Sequence, residues 1–293
     1  NHNSYPLTDG AFQTTFDGTG FDNVISKFNP DGSELIFATY LGGDQMDVIH
    51  SIIVDTFGET YILGKTISTD FPVTEDAIQS SIEGGWDLFV TRLNNEGTQL
   101  LGSTYLAGDL DEATEFFATT WSGRGEILVL PSGEIIICSS SDSPDFPTTA
   151  GSFQENIGGG MDALVMRLST SLDQIIWSTF LGGTDEDIAH CLRFLDDNSI
   201  VVAGATKSEN GFPVTEMAYQ TEFGSTFPNT GDGFISHLSA DGAELVSSTF
   251  LGGPGNEFIP FLDLDADGNV WTFMKNASYG YWEYSDGVYG TGQ

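Results

Sequence analysis

The chain has 293 residues, of which 43 are acidic and 8 basic, for a formal net charge of −35. A surface this negative repels phosphate backbones and anionic lipid, which argues against nucleic acid and membrane surfaces as partners. It suits salty, cation-rich surroundings where screening is short-ranged, so a secreted or cell-surface, extracellular setting is expected.

Hydrophobic residues make up 39% of the chain, and 36 glycines stand against 10 prolines, a composition of strands and tight turns rather than disorder. No apolar run approaches the roughly 18 residues of a membrane-spanning helix. There is neither an initiator Met nor a secretory leader, so the sequence reads as a mature or trimmed piece. Cys138 and Cys191 both fall in apolar strand patterns; paired or free, two cysteines make no disulfide framework, and two free core thiols are expected.

In chain order, the first marker is Tyr5-Pro6-Leu7-Thr8, which returns as Phe71-Pro72-Val73-Thr74, Phe146-Pro147-Thr148-Thr149 and Phe212-Pro213-Val214-Thr215. Residues Asp22 to Leu41 then end in a second marker, Thr39-Tyr40-Leu41-Gly42-Gly43. It returns as Thr104-Tyr105-Leu106-Ala107-Gly108, Thr179-Phe180-Leu181-Gly182-Gly183 and Thr249-Phe250-Leu251-Gly252-Gly253. The leucines are 65, 75 and 70 residues apart. Between two such markers, Val48 to Val54 is an apolar run, Asp55-Thr56-Phe57-Gly58 a turn, and Thr60 to Gly64 a strand. A polar stretch holding Phe-Pro and Ala77-Ile78-Gln79 follows, then strands at Leu88–Leu93 and Gln99–Leu106 around a turn at Asn94–Gly97. The same run recurs from within Ala113–Leu130, from Ile188–Leu195 and from Phe258–Leu262. The third unit carries an extra stretch around Trp121–Gly125, and the fourth an insertion near Phe223–Thr230.

Short segments rich in β-branched and aromatic residues and bounded by Gly, Asn or Asp are strands, and near-continuous apolar runs mark sheets covered on both faces. Markers in fixed order at a constant period mean an array of identical units. Four antiparallel strands in about 70 residues, repeated, predict an all-β fold, a β-propeller built of four-stranded antiparallel blades.

The combination Thr-Tyr-Leu-Gly-Gly, an acidic turn, an apolar strand, Asp-x-x-Gly-x-x-Tyr-x-x-Gly, Asp-Phe-Pro and Gly-Gly-x-Asp resembles the SBBP-type ("seven-bladed β-propeller") repeats of secreted and cell-surface bacterial proteins. The resemblance covers nearly the whole chain; in the last unit Gly280-Tyr281-Trp282 stands where Phe-Pro is expected. It implies that the strand after Leu-Gly-Gly is innermost and the Thr-Tyr-Leu strand outermost. The chain is then one propeller region over residues 1–293, with units at roughly 4–70, 71–145, 146–211 and 212–285 and the start of another at 286–293. Its sheets are expected to be an outer half-blade, three full blades and an inner half-blade (Phe258–Lys275). Because residues 4–13 and 285–289 occupy the same loop of the repeat, closure by the chain's own ends is not expected. Completion by further repeats or by another chain is.

Stacked repeats expose columns. Asp47, Glu112, Asp187 and Glu257 each precede an inner strand and are calcium-ligand candidates around one channel mouth, or caps of their own Gly-rich turns. Asp263, Asp265 and Asp267 match the first half of a calcium loop whose twelfth position is Met274, and also match the ordinary turn at Asp55–Gly58. Asp22, Asp87, Asp162 and Asp232 open another strand. Lys27, Arg92 and Arg167, with His237 in the fourth place, hold three of the 8 basic residues inside strands, where structural ion pairs with repeat carboxylates are expected. His50 and His190 are equivalent by repetition. No His-Glu-x-x-His, Gly-x-Ser-x-Gly or phosphate-cradling loop is present, and no catalytic residue or cofactor other than Ca²⁺ is indicated. The expected function is a non-enzymatic surface module for adhesion, binding or assembly with a protein or glycan. The alternative is a polysaccharide hydrolase or lyase using channel-mouth carboxylates.

Overall fold

A computed structural model describes residues 5–15, 23–113 and 125–276. The segments at Asp22, Trp121 and Gly280 lie outside these. Among the described residues every element is a strand, and none is a helix long and apolar enough to cross a membrane. The strands are β1 (Asn23–Phe28), β2 (Leu35–Leu41), β3 (Asp47–Val54), β4 (Thr60–Thr66), β5 (Asp87–Leu93), β6 (Leu100–Leu106), β7 (Glu126–Val129) and β8 (Ile135–Ser141). They continue with β9 (Asp162–Leu168), β10 (Ile175–Leu181), β11 (Asp187–Phe194), β12 (Ile200–Thr206), β13 (Asp232–Leu238), β14 (Leu245–Leu251), β15 (Glu257–Leu264) and β16 (Val270–Asn276).

They form three four-stranded antiparallel sheets, β3-β4-β5-β6, β7-β8-β9-β10 and β11-β12-β13-β14, flanked by the two-stranded sheets β1-β2 and β15-β16. This is the expected phase: an outer half-blade, three blades and an inner half-blade. Among the described residues β1-β2 and β15-β16 remain separate sheets and the ring is not closed.

The apolar core lies between sheets rather than inside them. One cluster joins Tyr61, Leu63 and Leu106 to Ile127, Ile137 and Met166 of the next blade, and another joins Cys138 and Trp177 to Leu192 and Phe234. Where a blade is flanked on both sides, as at β8, β11 and β12, both faces are therefore buried, which is why these sequences run apolar without alternation. Of the repeated Thr-Tyr-Leu residues, Tyr40, Leu41, Leu106, Phe180, Leu181 and Phe250 are buried. Leu251 is only half-buried, because β14 faces a sheet made of inner strands alone.

Three of the inner strands, β3, β11 and β15, bulge at the same point: the register shifts between Ile49 and Ser51, Ala189 and Cys191, and Phe258 and Phe261. His50 and His190 occupy this bulge, and so does Pro260, whose missing N–H costs nothing where the ladder is interrupted. Opposite the bulge a Cβ on Gly204 would stand 1.8 Å from the Ile188 carbonyl oxygen, so the position demands glycine.

The outer edges are covered by the blades' own loops. Gln79 N donates to Thr104 Oγ1 at 2.9 Å, Tyr105 N donates to Gln79 O at 3.1 Å, and Gln79 Oε1 accepts from Ala107 N at 3.0 Å. Gln13, Gln154 and Gln220 make the same three bonds in their repeats. The long Phe-Pro loop is thus an edge strap that occupies backbone groups otherwise free to recruit another strand.

Candidate functional site

The first acidic column lies wholly inside the protein: Asp47 is 2% exposed, and Glu112, Asp187 and Glu257 are 0% exposed. Asp47, Asp187 and Glu257 sit at the start of β3, β11 and β15, Glu112 pairs with Ser141 in an isolated bridge, and the first three hold the Gly-rich turn before them. Gly43 N donates to Asp47 Oδ2 at 2.8 Å, Gly183 N to Asp187 Oδ2 at 2.7 Å, and Gly253 N to Glu257 Oε2 at 2.9 Å. Hydroxyls after the second strand add to this. Thr66 and Ser68 donate to Asp47, Ser208 donates to Asp187 at 2.9 Å, and Ser141 and Ser143 donate to Glu112 at 2.9 and 2.6 Å.

The Gly-Gly pair is explained by the same geometry. A Cβ on Gly183 would lie 2.6 Å from Ser208 Cβ, and one on Gly182 only 2.3 Å from the Asp162 carboxyl carbon. The turn must let two carboxylates and a serine approach its backbone together, and only glycine leaves room.

The second column meets the first across every described blade boundary. Asp87, Asp162 and Asp232, all 0% exposed, open the third strand of a blade. They receive backbone N–H groups from Glu83 at 2.6 Å, Gly158 at 2.8 Å and Gly224 at 2.7 Å. Each interacts electrostatically with the first-column acid of the following blade: Asp87 with Glu112, Asp162 with Asp187, Asp232 with Glu257. Burial, opposed by donated hydrogen bonds, pushes Asp162 and Asp232 up to about 6 and Asp187 up to about 8. Asp87 and Glu112 are raised chiefly by burial as well; the charge of Asp87 raises Glu112 further, and those of Glu83 and Asp111 raise Asp87, against a hydrogen bond with Glu112 that lowers it. Asp87 Oδ1, Glu112 Oε2, Asp187 Oδ1 and Glu257 Oε1 are buried and receive no hydrogen bond. The pairing was written in the sequence as a constant 25-residue offset (87 to 112, 162 to 187, 232 to 257). The two columns were read separately, and the offset was not used.

Arg92 and Arg167 of the basic column form the expected ion pairs with repeat carboxylates, whereas Lys27 meets an amide instead. Arg92 Nε donates to Glu59 Oε2 at 2.8 Å and Arg92 Nη1 to Thr170 O of the next blade at 3.1 Å. Arg167 pairs likewise with Glu134 and with Ala240 O, and Lys27 donates to the backbone and side chain of Asn95. His237 bonds Ser199 Oγ at 2.7 Å, a neutral substitute. Sequence reasoning did not find Arg193, which bridges Glu126 at 2.8 Å and Asp263 at 3.3 Å and so links three successive sheets.

Of the calcium-loop candidates, Asp263 takes the Arg193 bond. Asp265 caps its own turn, accepting from Asn269 Nδ2, Asn269 N, Trp271 Nε1 and Asp267 N, which hold its carboxyl down to about 2. Asp267 is exposed at the turn tip. Asp265 and Asp267 line a cleft with Asp196 and Asp197 of the neighbouring blade's turn. Among the described residues no three His, Cys, Asp or Glu side chains are gathered tightly enough to hold a metal ion. Cys138 and Cys191 are free and buried, and burial pushes both thiols up.

No curated protein matches the chain. Among solved structures it is similar to BamB from Moraxella catarrhalis, at 12% identity and a TM-score of 0.18 over 85% of this chain and 91% of that one. Residues 36–72, which run from an outer strand through the two inner strands of the next blade to the Phe-Pro marker, match the family model of the SBBP beta-propeller repeat.

Proposed function

We propose that the chain is a non-enzymatic β-propeller module that works outside the cell, in adhesion, binding or surface assembly with a protein or glycan. One observation carries this reading: the repeated carboxylates, the groups a polysaccharide hydrolase would need, are buried and engaged with Gly-turn N–H groups and hydroxyls. Glycosidase chemistry needs two carboxylates open to substrate on either side of a sugar. The test is a panel of acidic, neutral and amino polysaccharides, assayed for turnover and for binding. Binding without turnover is expected. Turnover abolished by Asp187→Asn or Asp47→Asn, in variants whose melting shows them folded, overturns the proposal.

A calcium role for the same column rests on the donor-free oxygens of Glu112, Asp187 and Glu257 and is tested separately below.

A further inference from the structure

Within the chain, each blade meets its neighbours in the same way, so the molecule itself shows what covers every repeated position. Past its bulge, an inner strand turns its odd residues to the next blade: Ile53 packs against the β7-β10 blade, and Cys191 against the β15-β16 sheet. The even residues face the preceding blade, as Leu192 does, at 0% exposed. By this rule two faces stand uncovered. On β16, Trp271 (67%) and Phe273 (64%) look toward a next blade that is absent among the described residues. Their equivalents Tyr61 and Leu63 are 1% and 0% exposed. On β3, Ile52 (54%) and Val54 (56%) look toward a preceding inner half-blade that is equally absent.

A third gap has the same cause. Phe12, Ile78 and Phe153 each donate a backbone N–H to the outer-hairpin turn of the following blade, at Gly97, Leu172 and Gly242. Their equivalent, Tyr219, is 83% exposed beside Val246 (53%), over a groove lined by residues 215–219 and β14. What is missing there is an outer hairpin. The chain has one without an inner partner: β1-β2, whose turn places Gly32 at the Gly97 position.

We propose that the β1-β2 hairpin of a second copy adds to the free edge of β16, completing a four-stranded blade from two chains. Register follows from β4-β5, where Tyr61 faces Arg92 and Ile62 faces Thr91. Trp271 then faces Lys27, Thr272 faces Ser26, and Phe273 faces Ile25. The Arg92 guanidinium lies 5.6 Å from the Tyr61 ring centre, and Lys27 on Trp271 repeats that contact. The partner's β3 follows its hairpin and brings Ile52 and Val54 onto Phe273. The contact is head-to-tail, so it closes into a ring or extends as a filament. Because each copy carries −35, association strengthens with salt.

The experiment mixes full-length Ser26→Cys and Thr272→Cys variants, purified apart, in high salt under mild oxidation, alongside light scattering of the wild type over a wide concentration range. A covalent heterodimer well above either variant alone is expected. Concentration-dependent mass lost in Phe273→Glu but kept in a control Phe57→Glu is expected as well. A strictly monomeric wild type without cross-link overturns the proposal. So does a Ser26→Cys/Thr272→Cys double variant that cross-links within a monomer, which would mean closure in cis.

Discussion

Asp87 and Glu112 lie against each other at the boundary between the first two full blades, both 0% exposed, with Asp87 Oδ1 and Glu112 Oε2 receiving no N–H or O–H from the rest of the protein. Two carboxylates in hydrogen-bonding reach and away from water cannot both ionise cheaply, so at neutral pH the pair holds a proton between them. The charged groups around it are mostly of the same sign. Glu83 and Asp111 raise Asp87 further, and Lys65, on the strand beside it, is turned to Ala113 O and the Trp86 ring. Burial, the strongest influence, is imposed by packing of one blade on the next.

Stability should therefore fall as pH rises. A carboxyl whose folded pKa lies above its unfolded value near 4 binds more protons in the native state. Its contribution is complete below about pH 4 and is lost progressively up to its folded pKa. Asp162 and Asp232 at about 6 and Asp187 at about 8 add in the same direction, so the window runs from about 4 to about 8. Melting temperatures at constant ionic strength should decline across it. A flat or rising profile would show the boundary carboxylates to be hydrated.

Glu112→Gln separates the pair from general charge effects. The amide oxygen still accepts from Ser141 and Ser143, and the amide nitrogen donates to Asp87, so the shared proton is no longer needed. The variant should match the wild type near pH 5 and exceed it at pH 8, with a shallower pH profile. Equal loss at both pH values would mean that Glu112 acts only through its shape.

The fold was legible because the repeat says the same thing several times. Strand order and blade phase follow from markers whose spacing is fixed, the inner and outer assignment from the resemblance to SBBP-type repeats, and burial then follows from stacking. The carboxylate pairs were not legible in the same way, because each column has a sufficient local explanation as a turn cap. Seeing them meet required knowing that the third strand of one blade and the first of the next begin at the same height. Leu251 departs from its equivalents for a related reason. Its sequence matches Leu41, Leu106 and Leu181, but what covers a residue depends on the neighbouring blade, which sequence identity at the position does not report.

That difference predicts unequal costs for the same truncation. Leu181→Ala, at 0% exposed, should lower stability by about 2–5 kcal/mol. Leu251→Ala, half-buried, should cost clearly less. Equal midpoints of urea unfolding for the two variants would contradict the inter-blade position of the core.

Gly182→Ala tests the Gly-Gly turn. Its Cβ would fall 2.3 Å from the Asp162 carboxyl carbon, where Gly158 N, Gly159 N and Gln154 Nε2 fix the carboxylate. Overpacking there should cost about 1–3 kcal/mol. At the matching position the chain already carries Ala107, and there Asp87 is held by one backbone N–H, from Glu83, rather than by this set. Ala107→Gly should be close to neutral, changing stability by roughly 1 kcal/mol or less. A Gly182→Ala variant as stable as wild type would mean that the carboxylate is free to shift.

Salt and calcium act on different groups and can be told apart. With 43 acidic and 8 basic residues, added NaCl should raise the melting temperature by screening repulsion among exposed carboxylates, with the largest gain at the lowest starting ionic strength. The buried column is shielded from that effect, so its response reports site binding alone. If Glu112, Asp187 or Glu257 ligates a cation through its donor-free oxygen, millimolar Ca²⁺ should stabilise beyond NaCl of matched ionic strength, because a ligand that binds only the folded state adds RT ln(1 + [L]/Kd). The excess should grow with pH as the pairs lose their protons and should vanish in Asp187→Asn. Superimposable shifts from the two salts at pH 8 would leave screening as the whole effect and assign the column to the turns.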